Sequence, residues 1–410
     1  MLNQDDLALA KFIEYLRIKT VQPTPKYWEA KEFLGNYAKE LGLEFKVAEC
    51  VKDKPCCVMI WKGIDENRKS LILNSHMDVV PVFEEEWSHP PFSADIVDGK
   101  IYARGSQDMK CVGIQQVESI RRLISKGMKP LMNVYILFVP DEEIGGTDGL
   151  GAFVNGYKSE NGLNQIEFAQ LKPGLYLDEG LASPTNEFLA YYEERNQVWF
   201  EVTVFGNAGH GSQFINDLAI EKLNKIIEKL LEFRKEQEKI YSMNQELGSV
   251  TTLNITKISG GVQVNVIPNN LSFSVDMRIT PSLDMNKVLD EITQLCRSID
   301  EKCTIKILKS FLRKPIEDLR EPDKNLDPSW NALHQVCTKY GSQLKLSIFP
   351  ATTDARYIRA NGIKAINFSP MKNTPILLHD HNEYITVDEF LLGCKIYEEF
   401  VGKLIQLESF

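Results

Sequence analysis

Clusters of acid or imidazole punctuate the first 190 residues at nearly constant intervals, each where an apolar run ends or a helix is about to begin. His76 follows the run LILNS, Asp108 sits in YARGSQDMK ahead of a helix-patterned stretch, Glu142 and Glu143 end NVYILFVP, and Glu179 ends GLYLDEG. The steps between His76, Asp108, Glu143 and Glu179 are 32, 35 and 36 residues. That is close to the length of one strand-plus-helix repeat. In open α/β sheets the carboxyl ends of the strands share one edge, where ligands bind. The spacing therefore predicts a sheet that gathers four clusters at one edge.

The intervening texture agrees. SLILNSH and NVYILFV are short apolar runs of the buried-strand kind, while VGIQQVESIRRLISKG carries Val117, Ile120 and Ile124 at helical spacing and ends in a Lys-Gly stop. Alternating strands and helices imply an α/β fold with a mostly parallel sheet covered by helices. From about Gln197 the pattern changes. VWFEVTVFG is strand-like, residues 217–238 place Ala219, Leu223, Ile226 and Leu230 on one helical face, and LSFSVDMRIT alternates apolar with polar residues. With SVTTLNITKI, a helix around Val288, Ile292 and Leu295, and CTIKIL, the order is βαββαβ, a small ferredoxin-like α+β domain. FLRKPIEDLREPDKNLDPSW reads as a return linker, and QLKLSIF and KAINF resume the α/β texture. The expected organisation is a catalytic domain in two parts, residues 1–192 and 311–410, interrupted by an inserted domain at 193–310.

Composition removes several classes of function. Acids and bases are interleaved, as in EKLNKIIEKLLEFRKEQEK, and the net charge is -10, so no basic groove for nucleic acid is expected. No apolar stretch approaches the ~18 residues of a membrane span, and the first residues, MLNQDDLALAKFIEYLRIKT, lack the apolar core of a signal peptide. A cytoplasmic protein with no membrane partner is expected. The eight cysteines form no CxxC pair and read as reduced thiols.

Several carboxylates and a histidine sharing one pocket raise one another's pKa unless a countercharge is present. A divalent cation supplies it, and histidine with carboxylate suits zinc, cobalt or manganese. In SHMDVV, His76 and Asp78 fall on the same side of an extended chain, so Asp78 is placed to orient the ring rather than bind metal. LLHDHNEYI adds His379 and His381. Taken singly, SHMDVV, LDEG and RGSQDMK are more often plain structure than ligands; their joint occurrence at matched intervals favours a site. His89 and His334 have no ligand-like neighbours and read as packing or surface residues. Cys111 lacks a base partner, Ser75 and Ser106 lack a triad, and the Gly pairs at 145 and 260 are turns with no phosphate loop.

SHMDVVP, the segment from Trp87 to Phe92, DGKIYARGSQDMK, VPDEEIGG, LDEG, GNAGHGS, GGVQVNVIP, TDARYIRANG and LLHDHNEYI occur in one order. In that order the chain resembles, over nearly its whole length, the aminoacylase and carboxypeptidase family of dinuclear zinc hydrolases. Cys111 in DMKCV and the string FSPMKNTPILLHDH resemble the aminoacylase branch more than the dipeptidase or desuccinylase branches. The resemblance implies two zinc ions per subunit, one held by His76 and Glu179, the other by Glu143 and His379, with Asp108 bridging. It implies Glu142 as general base, Asp78 as the orienting residue, and His210 in GNAGHGS contacting the substrate from within the subunit or across a homodimer. Asn265, Arg278 and Arg356 fall in motifs that bind the substrate and its carboxylate, and His381 is a rim residue. The inserted domain becomes a lid and dimerisation domain, and the implied substrate is a small N-acyl-L-amino acid. Two alternatives stay open: a dipeptidase or carboxypeptidase of the same family, and a metal-binding interaction protein without chemistry. Asp141 is expected to be solvated or to orient its loop, and the segment at 155–172, longer than the family leads one to expect, to be a surface excursion.

Overall fold

The computed structural model describes residues 3–160, 162–311, 313–316 and 319–410. Asn161 of the 155–172 segment and Leu312, Glu317 and Asp318 of the return linker lie outside the described residues. By contact the chain forms two compact units, one of Met1–Tyr192, Glu321–Leu346 and Thr353–Phe410, the other of Glu193–Arg320 and Ser347–Thr352.

The principal sheet has eight strands, in the order Glu44–Val51, Lys54–Trp61, Val134–Val139, Ser70–His76, Pro173–Asp178, Lys364–Phe368, Glu187–Glu194 and Gln343–Phe349. Its parallel run is central: Ser70–His76 is parallel to both Val134–Val139 and Pro173–Asp178, and Lys364–Phe368 is parallel to Pro173–Asp178. Antiparallel strands flank it, with Lys54–Trp61 on Val134–Val139 and Glu187–Glu194 on Lys364–Phe368. The central runs are buried throughout, because a parallel strand covered by helices has no wet face. Helices Gln4–Leu16, Lys110–Ser125 and Val387–Leu404 pack with the sheet into one apolar core. Asn3 and Thr386 cap two of them by accepting from the backbone N–H groups of Asp6 and Glu389.

The 155–172 segment is tied to the sheet rather than loose on the surface. Glu49 N donates to Leu163 O at 2.7 Å and Gln165 N to Val47 O at 3.0 Å, so the segment lies along the outer strand Glu44–Val51 and covers part of that edge. Ile166 and Phe168 are buried there.

In the second unit four antiparallel strands are ordered Thr252–Gly260, Asn270–Ile279, Asn196–Phe205, Thr304–Ser310, which with helices Ala219–Asn244 and Met285–Ile299 gives the ferredoxin-like βαββαβ arrangement. Val198, Phe200, Val202 and Val204 alternate inward with Phe273, Val275, Met277 and Ile279, and the helices supply Leu223, Ile226, Leu230 and Ile292. Where the sequence reading returned to the larger domain at residue 311, the contacts hold the chain to Arg320 with the smaller unit. Arg313 grips Glu193 through two bonds of 2.6 Å, and Ile316 N donates to Pro281 O at 3.0 Å.

Candidate metal centre

The parallel run explains why distant residues meet. His76 is the last residue of Ser70–His76, Glu179 follows Pro173–Asp178 directly, and Glu142 and Glu143 open a single 3₁₀ turn three residues past Val134–Val139. Asp108 precedes helix Lys110–Ser125, and His379 lies in the loop before the short strand Tyr384–Thr386. His379 has φ +62, a left-handed conformation uncommon outside glycine.

Two triads result, and Asp108 belongs to both. His76 Nε2 is 2.9 Å from Asp108 Oδ1 and 3.5 Å from Glu179 Oε2. His379 Nε2 is 3.4 Å from Asp108 Oδ2 and 3.1 Å from Glu143 Oε2. Within each triad the ligand atoms lie within 4.8 Å of one another, so each could hold a cation, with the two oxygens of Asp108 facing different triads. His76 Nδ1 lies 2.9 Å from the main-chain oxygen of Asp78; donation there leaves the Nε2 lone pair for a metal.

The charges of the site call for a cation. Burial, then the Asp108 charge, pushes Glu179 well above the usual carboxylate range and Glu143 up to about 7. Burial, then the Asp354 charge, does the same to Glu142. Burial would lower His76, yet the Glu179 and Asp108 carboxylates outweigh it and hold the imidazolium, while His379 rises to about 10 through its bonds to Asp108 and Glu143. One oxygen of Glu143, Oε1, is buried with no hydrogen-bond donor. An acidic cluster that retains protons to limit its own repulsion, and that presents imidazole nitrogens beside an unmatched oxygen, fits divalent metal.

Residues around the triads fix their geometry. Asp78 orients His76 through its carbonyl rather than its carboxylate, whose Oδ1 is 3.7 Å from Nδ1. The carboxylate instead accepts the backbone N–H groups of Glu142 at 3.0 Å and Glu143 at 3.2 Å. Asp141 is not solvated: it is 3 % exposed, receives Tyr27 and Gln22, and pairs with Lys54 at 2.6 Å. Glu142 belongs to neither triad, and its Oε1 is 3.9 Å from Arg356 Nη2. Arg356 is thus brought to the centre. His210, Asn265 and Arg278 belong to the smaller unit. There Gly209–His210 pairs with Val266–Ile267, Gly211 N donates to Asn265 O at 2.8 Å, and Arg278 forms a fork with Asp276 at 2.7 and 3.1 Å. His381 turns its ring to Phe83, centroids 6.2 Å apart, and His89 packs on Tyr102 at 4.4 Å. Cys111 is fully buried, and burial pushes its thiol well up, which suits packing rather than nucleophilic attack.

Sequence reasoning passed over two buried acids. Glu383 accepts from Arg104 Nη1 at 2.7 Å, Gly105 N at 3.1 Å and Gln107 N at 2.6 Å, so it holds the loop that ends at Asp108. Asp354 sits against the Gly145–Gly146 turn with neither carboxylate oxygen receiving a donor, and burial pushes it up to about 8. The available signal was membership of the motifs HDHNE, which ends in Glu383, and TDARY, which contains Asp354.

Comparison with known proteins fits this geometry. The profile of Peptidase family M20/M25/M40 matches residues 72–403. Aminoacylase-1 of Mus musculus is 44% identical over 401 residues, covering 97% of this chain and 95% of that protein. Aminoacylase-1 of Homo sapiens is 41% identical over 410 residues, covering 99% and 97%. Among solved structures, an M20 family metallo-carboxypeptidase from Sulfolobus solfataricus shares the fold with a TM-score of 0.75 at 19% identity, covering 98% of this chain and 99% of that one. Among the described residues no helix is long and apolar enough to cross a membrane.

Proposed function

Because the chain belongs to peptidase family M20/M25/M40, we propose that it is a dinuclear zinc aminoacylase, hydrolysing N-acyl-L-amino acids to a carboxylate and a free L-amino acid. The observation that carries the reaction class is the pair of histidine–carboxylate triads sharing Asp108, with the buried Glu142 beside them and in neither. The choice of substrate rests on the aminoacylase relatives. His76 and Glu179 would hold one zinc, Glu143 and His379 the other, and Asp108 both. When bound, the ions would lower the pKa of a shared water and polarise the scissile carbonyl.

The protein groups do the rest. Glu142 takes a proton from the attacking water and delivers it to the amide nitrogen as the C–N bond breaks; the new carboxylic acid then ionises, and its proton converts the released amine to the ammonium form of the free amino acid. Its burial strengthens it as a proton acceptor. Asp78 holds the backbone of the 142–143 turn and, through its carbonyl, the ring of His76. Arg356, with Arg278 and Asn265, binds the substrate and its carboxylate; a guanidinium fork suits that group. His210 donates to the developing oxyanion. By the family resemblance it does so from the second subunit of a homodimer built through residues 193–310 of the smaller unit, which also serve as the lid of the larger, catalytic unit. The proposed compartment is the cytoplasm, which agrees with eight buried, unpaired cysteines.

Zinc returned to metal-stripped protein should restore release of amino acid from N-acyl substrates such as N-acetyl-L-methionine. Preferential cleavage of free dipeptides would make the protein a peptidase of the same family, and zinc binding without any turnover would make it a binding protein. Glu142→Gln should keep its zinc and lose about 10²–10⁴-fold in kcat; retained activity would remove Glu142 as the base. His210→Ala should also lose turnover, and mixing it with Glu142→Gln should restore part of it if sites are completed across subunits.

A further inference from the structure

The segment between the first two helices lies along the residues that follow His76. Thr20 Oγ1 donates to Met77 O at 2.6 Å, Val79 N to Thr20 O at 3.0 Å, and Gln22 N to Val79 O at 3.0 Å. Two side chains continue from it toward the catalytic turn. Gln22 Nε2 donates to Asp78 Oδ2 at 2.9 Å and to Asp141 Oδ1 at 3.1 Å, bridging two acids distant in sequence. Tyr27 OH donates to the same Asp141 oxygen at 2.7 Å and accepts the Asp141 backbone N–H at 2.8 Å. Both residues are buried, and Tyr27 stands at the start of helix Tyr27–Leu41, which makes it a fixed post.

What they hold is a turn in an uncommon shape. Asp141 has φ +65, a left-handed conformation that persists in a non-glycine residue when its surroundings over-determine it. Tyr27 meets Asp141 on both its N–H and its side chain, and Gln22 ties that side chain to Asp78. The other end of the arrangement is functional: the Asp78 carboxylate receives the N–H groups of Glu142 and Glu143. Simple packing of an N-terminal segment needs none of this polarity, since a buried amide and phenol are costly unless their partners are in place.

We propose that residues 20–27 form a positioning strap in which Tyr27 and Gln22, acting through Asp141 and Asp78, set the turn that carries the base Glu142 and the ligand Glu143. The inference rests on the aminoacylase reading for the roles of those two glutamates. Tyr27 and Gln22 touch no reacting atom; they act by keeping the base and one ligand in register.

Tyr27→Phe and Gln22→Met preserve side-chain volume while removing the donors. For each, kcat and KM on N-acetyl-L-methionine, zinc affinity by chelator competition, and circular dichroism would be measured beside the parent and Glu142→Gln. The strap requires kcat to fall about 10-fold or more and zinc affinity about 10-fold, with KM changed less than about two-fold and the spectrum unchanged. A melting temperature lowered with kcat and zinc affinity intact would mean ordinary packing and overturn the proposal. If Gln22→Met does not fold, Tyr27→Phe decides alone. An active Glu142→Gln would sink the base assignment; zinc affinity then still judges the strap, because Glu143 rides on the same turn.

Discussion

Asp108 joins both triads because its two oxygens point in different directions, one toward His76 and one toward His379. Its carboxylate is kept well below the usual range against the opposing effect of burial, because His379 and His76 both bond to it. That direction is set from behind by Glu383, whose carboxylate collects donors from the Arg104–Gln107 loop. Glu383→Gln would leave the buried Arg104 guanidinium without its ion-pair partner, at a cost of about 3–5 kcal/mol. We expect a clearly lowered thermal midpoint, together with lower activity per folded molecule, and an unchanged melting curve would refute the role. Residue type and spacing made four members of the two triads legible in the sequence: His76, Asp108, Glu143 and Glu179 repeat at the length of a strand-plus-helix unit. Glu383, Gln22 and Tyr27 were not legible, because an acceptor of backbone N–H groups or a bridging amide has no characteristic spacing. Their partners lie as much as 279 residues away. Asp78 shows the limit from the other side, since its place was foreseen while the atom that orients His76 was not.

The elements carry a second kind of constraint, seen in the chain that follows Val134–Val139. Here Pro140, the 3₁₀ turn Glu142–Ile144 and the π-helical turn Thr147–Gly151, kinked at Gly149, fold back on one another so closely that a Cβ at Gly149 would collide with the carbonyl oxygen of Pro140. Backbone on both sides leaves nothing flexible to give way. Gly149→Ala should therefore displace Pro140 and the turn after it, costing about 1–3 kcal/mol as overpacking does. Its kcat should fall by about 10-fold or more, because the turn places Glu142. Parent-like kinetics and melting would show that this turn tolerates the shift. At this scale the central parallel strands were readable from their apolar runs, whereas their antiparallel flanks were not: a buried run looks alike in either direction. The smaller sheet was easier, since alternation along LSFSVDMRIT marks one wet face. The 155–172 segment carries no such pattern, and only its backbone bonds to Val47 and Glu49 reveal it as a cover for a strand edge.

For the molecule as a whole, the acidic centre links metal, protons and stability. In metal-free protein Glu143 titrates near 7 instead of 4.5, so between those values the folded chain binds more protons than the unfolded chain. Stability then falls as pH rises through that window, by the linkage between proton binding and folding. His379 adds to the trend in the same sense: its folded pKa, raised to about 10 from 6.5, gives stability present in full below 6.5 and lost as pH climbs toward 10. A bound divalent metal would invert the dependence, because it takes deprotonated carboxylates and neutral imidazoles and would bind the folded chain in preference. Stripping the metal should therefore lower the thermal midpoint much more at pH 7.5 than at pH 5. Thermal melts of chelator-treated and zinc-loaded protein at the two pH values measure the difference directly. An equal loss at both would mean that the triads are not the place where metal supports this fold, and the paired-triad assignment would have to be given up.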